Sequence, residues 1–519
     1  MRAGLRANHK FTDLSATVQL AKTKYGVENF LVWHAVQGYW QGVDVDRPEL
    51  ASYKAQWRRL VVPEGISERV GSTVLRRSAY MQRRYGFGLV PPETISAFYQ
   101  EYHGYLRAHG VDGVKVDAQS ILSCLGEGQG GTVALTRASQ AALAASVRAH
   151  FGGPAVIHCM CHDSAMLLQL PVHYPDGRGG GGGGGGSGVR PIVRGSDDFY
   201  PRDPASHGTH IYANAFNALL LAYCGALQDW DMFQTSLGAV GAMHAAARAI
   251  SGGPVYISDR PGEHDAALIR KMVLEDGSVP RARRSALPTL PSLFVDAQHD
   301  KSRPLLSIWN ENPAHGHGVV GVFNVYGSRW DQRARAYRWV RGHEAHRLSF
   351  TYTAAAEGTI RPRDCHALLR QEIAAAAGSV MKPADAQFAV YLHNAMELHV
   401  RSLDEAVATG ALGMYAFELA SISRVHTFSF SQGRKLLWSS IGLPDLFNAG
   451  GAIMSEAMEV IEGGRRVSAE IVLHGSGLFL ALCSLHPTQV RTALHGPNCL
   501  WSLLIAALCT GCFGRCSAA

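Results

Sequence analysis

An aspartate closes a segment patterned for a buried strand, in the stretch GVDGVKVDAQ at residues 110–119. A strand covered on both faces is almost entirely apolar, so polar residues at its carboxyl end belong to a turn or to the floor of a site. Asp112 and Gly113 are typical of a turn. Lys115 and Asp117 are two residues apart and point to the same side of the strand, because side chains alternate. A lysine in that position keeps the carboxylate ionised.

A second acidic group follows another β-forming run, in RGSDDFYPRDP at residues 194–204. Asp197 or Asp198 can face Asp117 if the two strands end at the same edge of one sheet. Retaining glycosidases use such a pair of carboxyl groups, roughly 5–5.5 Å apart, as nucleophile and acid/base. Two simpler interpretations stay open: a buried structural ion pair in the first segment, and an exposed acidic turn with an arginine partner in the second.

Aromatic and histidine side chains are further candidates for binding a sugar. Four aromatic residues are possible platforms for sugar rings, although each is more often found in a core: Trp33, Trp40, Trp230 and Phe233. His207 and His210, in ASHGTH, are expected to cap the following helix or to pack near its start.

Other motifs argue against a metal or nucleotide site. CMCH at residues 159–162 lacks a second ligand cluster at a suitable spacing for zinc. GEGQGG at residues 126–131 fits G-x-G-x-x-G, but we expect no helix to begin at its last glycine, and no acidic residue follows at the required distance. Neither a P-loop nor a G-x-S-x-G motif occurs. We therefore expect chemistry without a metal or nucleotide cofactor.

Strand-like and helix-like segments alternate over the first 300 residues. Strands are predicted at residues 29–36, 111–118, 154–160, 191–198 and 254–259. Helices are predicted at residues 13–26, 93–110, 136–153 (with Thr136 as N-cap), 210–227 and 241–253. This alternation favours a parallel α/β domain, and a (β/α) barrel is the commonest large form. Chemistry in such barrels lies at the carboxyl ends of the strands, where the pattern places Asp117, Asp197, Asp198 and Asp259.

The pattern changes after residue 304, where short β-rich runs separated by turn residues predict an all-β antiparallel domain. Residues 365–378 are helix-like and interrupt it. The glycine-rich stretch at residues 175–188 cannot pack a core and is interpreted as an insertion. We expect a catalytic domain over residues 1–300, a β-sandwich over 301–480, and an atypical cysteine-rich tail over 481–519 without the β pattern.

Composition excludes several classes of protein. The 519 residues are 47% hydrophobic and 18% charged, with a net charge of +7. Basic residues form no compact module with exposed aromatics, so nucleic-acid binding is not expected. No apolar signal segment opens the chain, and the longest apolar run, residues 499–513, is too short to span a membrane. Of the ten cysteines, six are spread over residues 124–483 and four lie in the last 21 residues. This distribution indicates a reducing compartment rather than a disulfide framework, so we expect a cytoplasmic protein.

Several long motifs together carry a family resemblance. They are, in chain order, FLVWHAVQGYWQGV, GVDGVKVDAQ, VRGSDDFYPRDPASHGTHI, WDMF, VYISDRPGEHD, LLSIWNEN, GVVGVFNVYGSRW and IGLPDLFNAGGAI. Over about residues 8–480 the chain resembles the raffinose synthase and alkaline α-galactosidase family, which includes the seed imbibition proteins of plants. The resemblance implies a (β/α)8 TIM-type barrel, an antiparallel β domain after it, and retaining α-galactosyl chemistry.

The resemblance also implies roles for individual residues. Asp117 corresponds to the nucleophile of the K-x-D motif, and Asp197 to the acid/base, with Asp198 as the alternative. Other matching positions are expected to line the galactose or acceptor pocket: Lys115, Arg194, Asp198, Trp33, His34, Trp230, Asp231 and Asp259. The implied reaction transfers galactose from galactinol to sucrose. Hydrolysis of raffinose-type α-galactosides and a non-catalytic carbohydrate-binding remnant are the alternatives.

Three features depart from the family pattern. The chain starts at about the third barrel strand, so the barrel is expected to lack its first strands, and a plastid location stays open. After CMCH the family reads N-T-D, whereas this chain reads D-S-A at residues 163–165. The expected carboxylate is thus absent or displaced to Asp163. The sequence beyond about residue 480 does not match.

Overall fold

The computed structural model describes residues 13–59, 86–152, 155–173, 190–300, 302–331, 334, 336–339, 356–376, 386–430, 433–461, 466–485 and 501–507. The predicted glycine-rich insertion lies outside these residues. No helix in the described part of the chain is long and apolar enough to cross a bilayer.

The secondary structure alternates in the first half and is almost entirely β in the second. The strands are β1 (Leu31–Ala35), β2 (Gln56–Arg58), β3 (Phe87–Leu89), β4 (Gly113–Asp117), β5 (Val156–His158), β6 (Ile192–Arg194), β7 (Leu227–Asp229), β8 (Leu287–Pro288), β9 (Leu306–Glu311), β10 (His317–Phe323), β11 (Ser328–Asp331), β12 (Ala336–Trp339), β13 (Ala356–Ile360), β14 (Gln387–Leu392), β15 (Glu397–Ser402), β16 (Val407–Leu412), β17 (Phe417–Arg424), β18 (His426–Ser429), β19 (Lys435–Gly442), β20 (Ile453–Ile461), β21 (Arg466–Leu473), β22 (Gly477–Cys483) and β23 (Trp501–Ala507). The α-helices are α1 (Leu14–Tyr25), α2 (Ile95–Ala108), α3 (Thr132–Phe151), α4 (Ser164–Leu167), α5 (Leu170–His173), α6 (Ser206–Tyr223), α7 (Ala239–Ser251), α8 (Ala266–Arg270) and α9 (His366–Ala376).

The chain packs into two compact units. The N-terminal unit comprises Met1–Asp197, Leu220–Asp229 and Asp331–Ala336, and the C-terminal unit comprises Asp198–Leu219, Trp230–Trp330 and Tyr337–Ala519. This boundary differs from the division predicted at residue 300. The physical reason is α7, whose buried Met243 and Ile250 share one apolar cluster with Leu306, Phe323 and Leu419 of the β-rich region.

A five-stranded sheet organises the N-terminal unit. Its order is β1-β4-β5-β6-β7, and every neighbouring pair is parallel. Four of these strands lie where the sequence predicted them, and α1 to α3 confirm the predicted alternation. The fifth, β7, was not predicted, and the helix predicted at residues 210–227 overlaps it at Leu227. The structure therefore shows a parallel α/β region, and a complete barrel is not seen among the described residues.

Helix ends explain where the sequence predictions held and where they failed. Asp13 caps α1 by accepting a hydrogen bond from the backbone N–H of Ala16 at 2.9 Å. Helix α3 begins at Thr132, directly after Gly131, so the predictions of Thr136 as its N-cap and of no helix start after GEGQGG were wrong. Thr136 is instead buried on the inner face of α3.

The C-terminal unit is built on a six-stranded antiparallel sheet with the order β15-β14-β17-β10-β9-β8. Helix α9 confirms the helical segment expected near residue 365. The strand predicted at residues 254–259 is wrong, because only a single bridge joins Phe233 to Ile257 there. The expected loss of β pattern beyond residue 480 is also wrong, since β23 pairs in parallel with β22.

Candidate active site

Asp117 is the last residue of β4, and both of its carboxylate oxygens accept hydrogen bonds. The indole Nε1 of Trp33 donates to Oδ2 at 3.1 Å, and the backbone N–H of Ala118 donates to Oδ1 at 2.6 Å. The residue is 9% exposed. Two donors at fixed positions hold the carboxylate in one orientation, and no ion pair to it is found among the described residues, which suits a carboxylate that must remain reactive.

The pairing of β1 with β4 places these groups together. Trp33 is opposite Lys115, and Ala35 is opposite Asp117. Neighbouring residues of a parallel sheet point to the same face, so Trp33, Lys115 and Asp117 share one side. The chain leaving β1 is tied to the same edge, because the N–H of Val36 donates to the carbonyl of Asp117 at 2.7 Å.

A cluster of aromatic rings adjoins the carboxylate. The ring of Trp33 lies edge-on to Tyr39 at a centroid distance of 5.8 Å and tilted to Trp40 at 5.6 Å. All three residues are half-buried. The turn that carries Tyr39 and Trp40 is anchored by Gln37, whose side-chain amide makes two hydrogen bonds to the backbone of Val90, at 2.7 and 3.2 Å.

The buried thiol of Cys159, just beyond β5, lies among the charged groups of the site. Arg194, at the end of β6, donates from Nη1 to its sulfur at 3.6 Å. Burial raises the pKa of Cys159 well above its usual value, while Arg194, Asp117 and Lys115 all act on it electrostatically. Asp117, Lys115 and Arg194, predicted to share a site, are therefore brought close to one point by β4, β5 and β6.

The second catalytic candidate, Asp197, follows β6 within the same unit. Gly195 leads into it, and a Cβ on this glycine would lie 1.8 Å from the side-chain nitrogen of Gln228 in β7. Only glycine fits there, so the path of the chain to Asp197 is fixed. His162 donates from Nε2 to the carbonyl of Arg194. Burial lowers the pKa of His162, and Asp197 is close enough to act on it.

His34, predicted to line the pocket, is enclosed beside a second histidine. It is buried, its Nδ1 donates to the carbonyl of Ala35 at 2.7 Å, and its Nε2 lies 3.2 Å from Nε2 of His103. A carbonyl only accepts hydrogen bonds, so Nε2 of His34 must accept from His103. Burial lowers the pKa of His34 to about 4. The side chain faces inward because residues alternate along β1 and Trp33 takes the open face.

Trp230 and Asp231, in the C-terminal unit, are also buried rather than open to a ligand. Trp230 is fully buried in an apolar cluster with Phe233, so neither ring can serve as a sugar platform. Asp231, also fully buried, accepts hydrogen bonds from the N–H of Phe199 at 2.8 Å and from the hydroxyl of Tyr256 at 3.3 Å. Asp231 thus positions the chain that follows Asp198.

Asp259 is used by the backbone of its own unit. Its carboxylate accepts hydrogen bonds from the N–H groups of Thr235 at 2.9 Å and Ser236 at 2.8 Å. Burial alone would raise the pKa of Asp259, but these two donors hold it below its usual value. The prediction that it ends a strand was wrong. It caps a short 3₁₀ turn at Thr235–Leu237 instead.

Three non-glycine residues with left-handed backbone follow strands of the parallel sheet. They are Ala118 (φ 56°) after β4, Met160 (φ 47°) after β5 and Asp231 (φ 64°) after β7. Such conformations cost about 1–3 kcal/mol each and are concentrated at functional sites. Their positions after β4, β5 and β7 point to the carboxyl edge of the sheet as the edge that carries the chemistry. No group of side chains suited to hold a metal ion is found among the described residues.

Comparison with known proteins now decides the family. Residues 3–497 match the family described as "Raffinose synthase or seed imbibition protein Sip1". The chain belongs to this family. A relative named "Probable galactinol--sucrose galactosyltransferase 1" from Arabidopsis thaliana is 34% identical over 477 residues, which are 92% of this chain and 57% of that protein.

A second member of the raffinose synthase family is the "Galactinol--sucrose galactosyltransferase" of Oryza sativa subsp. japonica. It is 34% identical over 471 residues, covering 89% of this chain and 53% of that protein. The chain therefore spans little more than half the length of these relatives. Among solved structures, a GH27 β-L-arabinopyranosidase from Geobacillus stearothermophilus matches 64% of this chain and 62% of its own, with a TM-score of 0.36 and 12% identity.

Family comparison of the sequence placed one carboxylate in doubt, and the structure shows what the substitute does. Asp163 follows the C-x-C-H motif and caps α4 by accepting a hydrogen bond from the N–H of Met166 at 3.2 Å. It acts electrostatically on the buried thiol of Cys161, as does Asp117. Asp163 therefore supplies a carboxylate near the site and also caps the start of a helix.

Sequence reasoning missed Arg248. Its buried guanidinium donates to the carbonyls of Trp230 at 2.7 Å, Asp231 at 2.8 Å and Met232 at 3.1 Å. It therefore holds the whole WDM segment that follows β7. A lone arginine inside the alanine-rich helix α7 was the available signal, since charged residues are rarely buried without partners.

Proposed function

We propose that the chain carries the galactosyl-transfer centre of a galactinol–sucrose galactosyltransferase, with Asp117 as the nucleophile. The single observation that carries the proposal is the oriented carboxylate of Asp117 at the end of β4, with Trp33 and Ala118 as its donors. The names of the relatives supply the substrate class, an α-galactosyl donor and sucrose as acceptor.

The proposed reaction is a double displacement. Asp117 attacks the anomeric carbon of the galactosyl unit, while an acid protonates the departing oxygen of inositol. The same acid/base then removes a proton from a sucrose hydroxyl, which attacks the galactosyl–enzyme ester and releases raffinose. Each step exchanges one C–O bond for another, and the configuration at the anomeric carbon is retained.

We assign the acid/base role to Asp197, with Asp198 as the alternative. Strands β4 and β6 are separated only by β5, which puts their backbones about 10 Å apart. Two aspartate side chains leaning toward each other across that gap approach the spacing of a retaining pair. His162, on the chain between β5 and β6, lies near Asp197 and fixes the end of β6 through the carbonyl of Arg194.

The surrounding charges support the proposed chemistry. Lys115 and Arg194 lie close enough to act on the same thiol as Asp117. Both are cations, and they lie near the carboxylate that is proposed to attack. Because the guanidinium of Arg194 is buried, its field is screened less than that of a surface arginine.

We propose further that the five parallel strands belong to a (β/α)8 barrel. Support comes from their sequential order and from the helices that connect them, which are the features of that fold. Strained residues after three of the strands lie at the carboxyl edge, where barrel enzymes place their chemistry.

A product assay tests the reaction itself. The 519-residue chain is incubated with galactinol, with and without sucrose, and products are separated by anion-exchange chromatography. Raffinose formed only with sucrose supports the transferase. Free galactose in both reactions indicates an α-galactosidase, and the absence of both products indicates a carbohydrate-binding protein without catalysis. Asp117→Asn serves as the inactive control.

Azide rescue tells the two acid/base candidates apart. An aryl α-galactoside with a good leaving group needs no acid for the first step, so removing the acid/base slows only breakdown of the intermediate. Azide needs no base and restores turnover, giving α-galactosyl azide. We expect this with Asp197→Ala. The same product from Asp198→Ala alone would move the role to Asp198, and β-galactosyl azide is expected from Asp117→Ala.

A further inference from the structure

A series of hydrogen-bonded, buried polar side chains lies in the C-terminal unit, and the proposed reaction does not use it. Arg248 Nη1 donates to Nδ1 of His244 at 2.9 Å, and Nε2 of His244 lies 3.0 Å from Nδ1 of His207. All three side chains are buried. The hydrogen bonds therefore run from α7 to the first turn of α6.

The arginine fixes the proton positions on both histidines. A guanidinium only donates hydrogen bonds, so Nδ1 of His244 must carry a lone pair. The proton of neutral His244 is then on Nε2, from which it is donated to Nδ1 of His207. His207 must consequently carry its own proton on Nε2. The donor-to-acceptor order of these hydrogen bonds therefore leaves Nε2 of His207 carrying an N–H that it can donate.

Both histidines remain neutral, so the arrangement persists at ordinary pH. Burial lowers the pKa of His207 to about 4, helped by Arg248. Burial and the same guanidinium hold the pKa of His244 well below its usual value. The ring of His207 is packed against Phe199 at 5.4 Å and edge-on to Tyr415 at 6.2 Å between centroids.

The first turn of α6 holds this N–H in a fixed place. A Cβ at Gly208 would lie 2.8 Å from the carbonyl oxygen of Val325, so the helix touches that backbone directly. The hydroxyl of Tyr415 donates to the carbonyl of Pro204, just before α6, at 2.7 Å. A donor held on several sides loses little freedom when it binds a ligand.

The far nitrogen of His207 has an open side. No hydrogen-bond partner for Nε2 is found in the described part of the chain. This nitrogen is also absent from the fully buried side-chain polar atoms that lack a partner there. The side chain keeps 2% exposure. An N–H that is held in place, is not fully enclosed and has no partner among the described residues can donate a hydrogen bond to a ligand.

We propose that His207 donates its Nε2–H to a hydroxyl oxygen of the carbohydrate substrate, as a specificity-determining residue for that substrate. Phe199, which packs on the His207 ring, directly follows Asp198. A neutral N–H donor suits a hydroxyl oxygen, which accepts a hydrogen bond without carrying a charge. The inference rests on the proposed function, since that function makes the ligand a sugar.

Paired substitutions test the donor. His207→Phe keeps an aromatic ring against Phe199 but has no N–H, whereas His207→Gln keeps a donor. Binding of galactose and of sucrose is measured separately by titration calorimetry on the 519-residue chain. We expect His207→Phe to weaken one of the two sugars about tenfold, the loss of one hydrogen bond, and His207→Gln to stay within about threefold. The affected sugar shows whether the subsite holds the galactosyl unit or the acceptor.

Controls separate binding from folding. Phe388→Leu, in a separate apolar cluster of β14, is expected to lower the unfolding temperature without weakening either sugar. Unchanged binding of both sugars by a folded His207→Phe overturns the inference, as does a folded His207→Gln that loses as much as His207→Phe. A wild-type chain that binds neither sugar and shows no turnover overturns both the inference and the proposed function. Wild-type turnover together with unchanged sugar binding by His207→Phe overturns the inference alone.

A direct measurement covers a variant that does not fold. Neutron diffraction from the unmodified protein locates the deuterium on the imidazole ring of His207. Deuterium on Nε2 supports the inference, and deuterium on Nδ1 alone contradicts it.

Discussion

The indole nitrogen of Trp33 lies 3.1 Å from Oδ2 of Asp117, and the strands that carry them pair in parallel with Ala35 opposite Asp117. The aspartate is therefore oriented by a neighbouring strand rather than by a loop. Because the second oxygen is held by the N–H of Ala118, in left-handed backbone, rotation of the carboxylate about its last bond is restricted from both sides.

Removing the indole N–H should slow the reaction. Trp33→Phe keeps an aromatic ring but loses the bond to Asp117, and a hydrogen bond to a charged group contributes about 1.5–3 kcal/mol. We expect kcat to fall roughly 10- to 100-fold with little change in unfolding temperature. Trp309→Phe is the matched control, because its buried indole nitrogen has no partner among the described residues. Equal kcat for Trp33→Phe and wild type contradicts the assignment.

A methyl group at Gly195 should displace the chain that leads to Asp197. The new Cβ would overlap Gln228, and overpacking of this kind costs about 1–3 kcal/mol. Activity should fall together with the urea midpoint. Gly104→Ala is the comparison, since its Cβ would meet only the end of His150 at 3.3 Å and alanine favours a helix. A fully active Gly195→Ala protein would show that the path to Asp197 is not constrained.

Replacing Arg248 should loosen the segment after β7. Arg248→Met removes the donor shared by the carbonyls of Trp230, Asp231 and Met232. The Trp230 carbonyl keeps Nε2 of His210 at 3.0 Å, and each group left unsatisfied costs about 1–3 kcal/mol. We expect a loss of stability above about 3 kcal/mol, measured by urea unfolding. Arg248→Lys should recover part of it, because lysine reaches fewer acceptors. A loss below 1 kcal/mol for Arg248→Met would show that the carbonyls find other donors.

Acid should destabilise the fold over a defined range. Burial lowers the pKa values of His34, His158 and His207 to about 4, below the unfolded value near 6.5. The unfolded chain binds these protons first, so stability is complete above about pH 6.5 and is lost as the pH falls toward 4. Each histidine contributes a slope of about 1.4 kcal/mol per pH unit.

Urea unfolding at several pH values measures that slope. His34→Gln should reduce the slope by the contribution of one histidine, about 1.4 kcal/mol per pH unit. His264→Gln, at an exposed position, should leave the slope unchanged. An unfolding free energy that is flat between pH 6.5 and 4.5 would mean that these histidines bind protons over the same pH range in the folded and the unfolded chain, which contradicts the account.

The sequence predicted the part of the site that depends on strand periodicity. Lys115 and Asp117 were placed correctly on one side of β4, because apolar alternation defines a strand and its faces. Strand β7 was missed since only three residues, Leu227–Asp229, form it. They follow an apolar helix without a break in pattern.

Burial by distant segments could not be predicted from local pattern. His34 and Trp230 match their family positions, yet both are enclosed by residues far away in sequence, such as His103 at His34. Asp259 looked like a strand end, but its carboxylate is taken by backbone N–H groups more than twenty residues earlier. The order of the hydrogen bonds from Arg248 to His207 depends on contacts between α7 and α6. No local sequence pattern predicts that these two helices meet there.

Trapping the covalent intermediate tests the central assignment most directly. A 2-deoxy-2-fluoro-α-galactosyl fluoride has a good leaving group, and its 2-fluorine slows breakdown of the ester more than its formation. The 519-residue chain is treated with this compound, digested, and analysed by tandem mass spectrometry. The account predicts one fluorogalactosyl group on the peptide that contains Asp117, on that side chain. A label on Asp197 or Asp198 instead, or an unlabelled protein that still turns over galactinol, would contradict it.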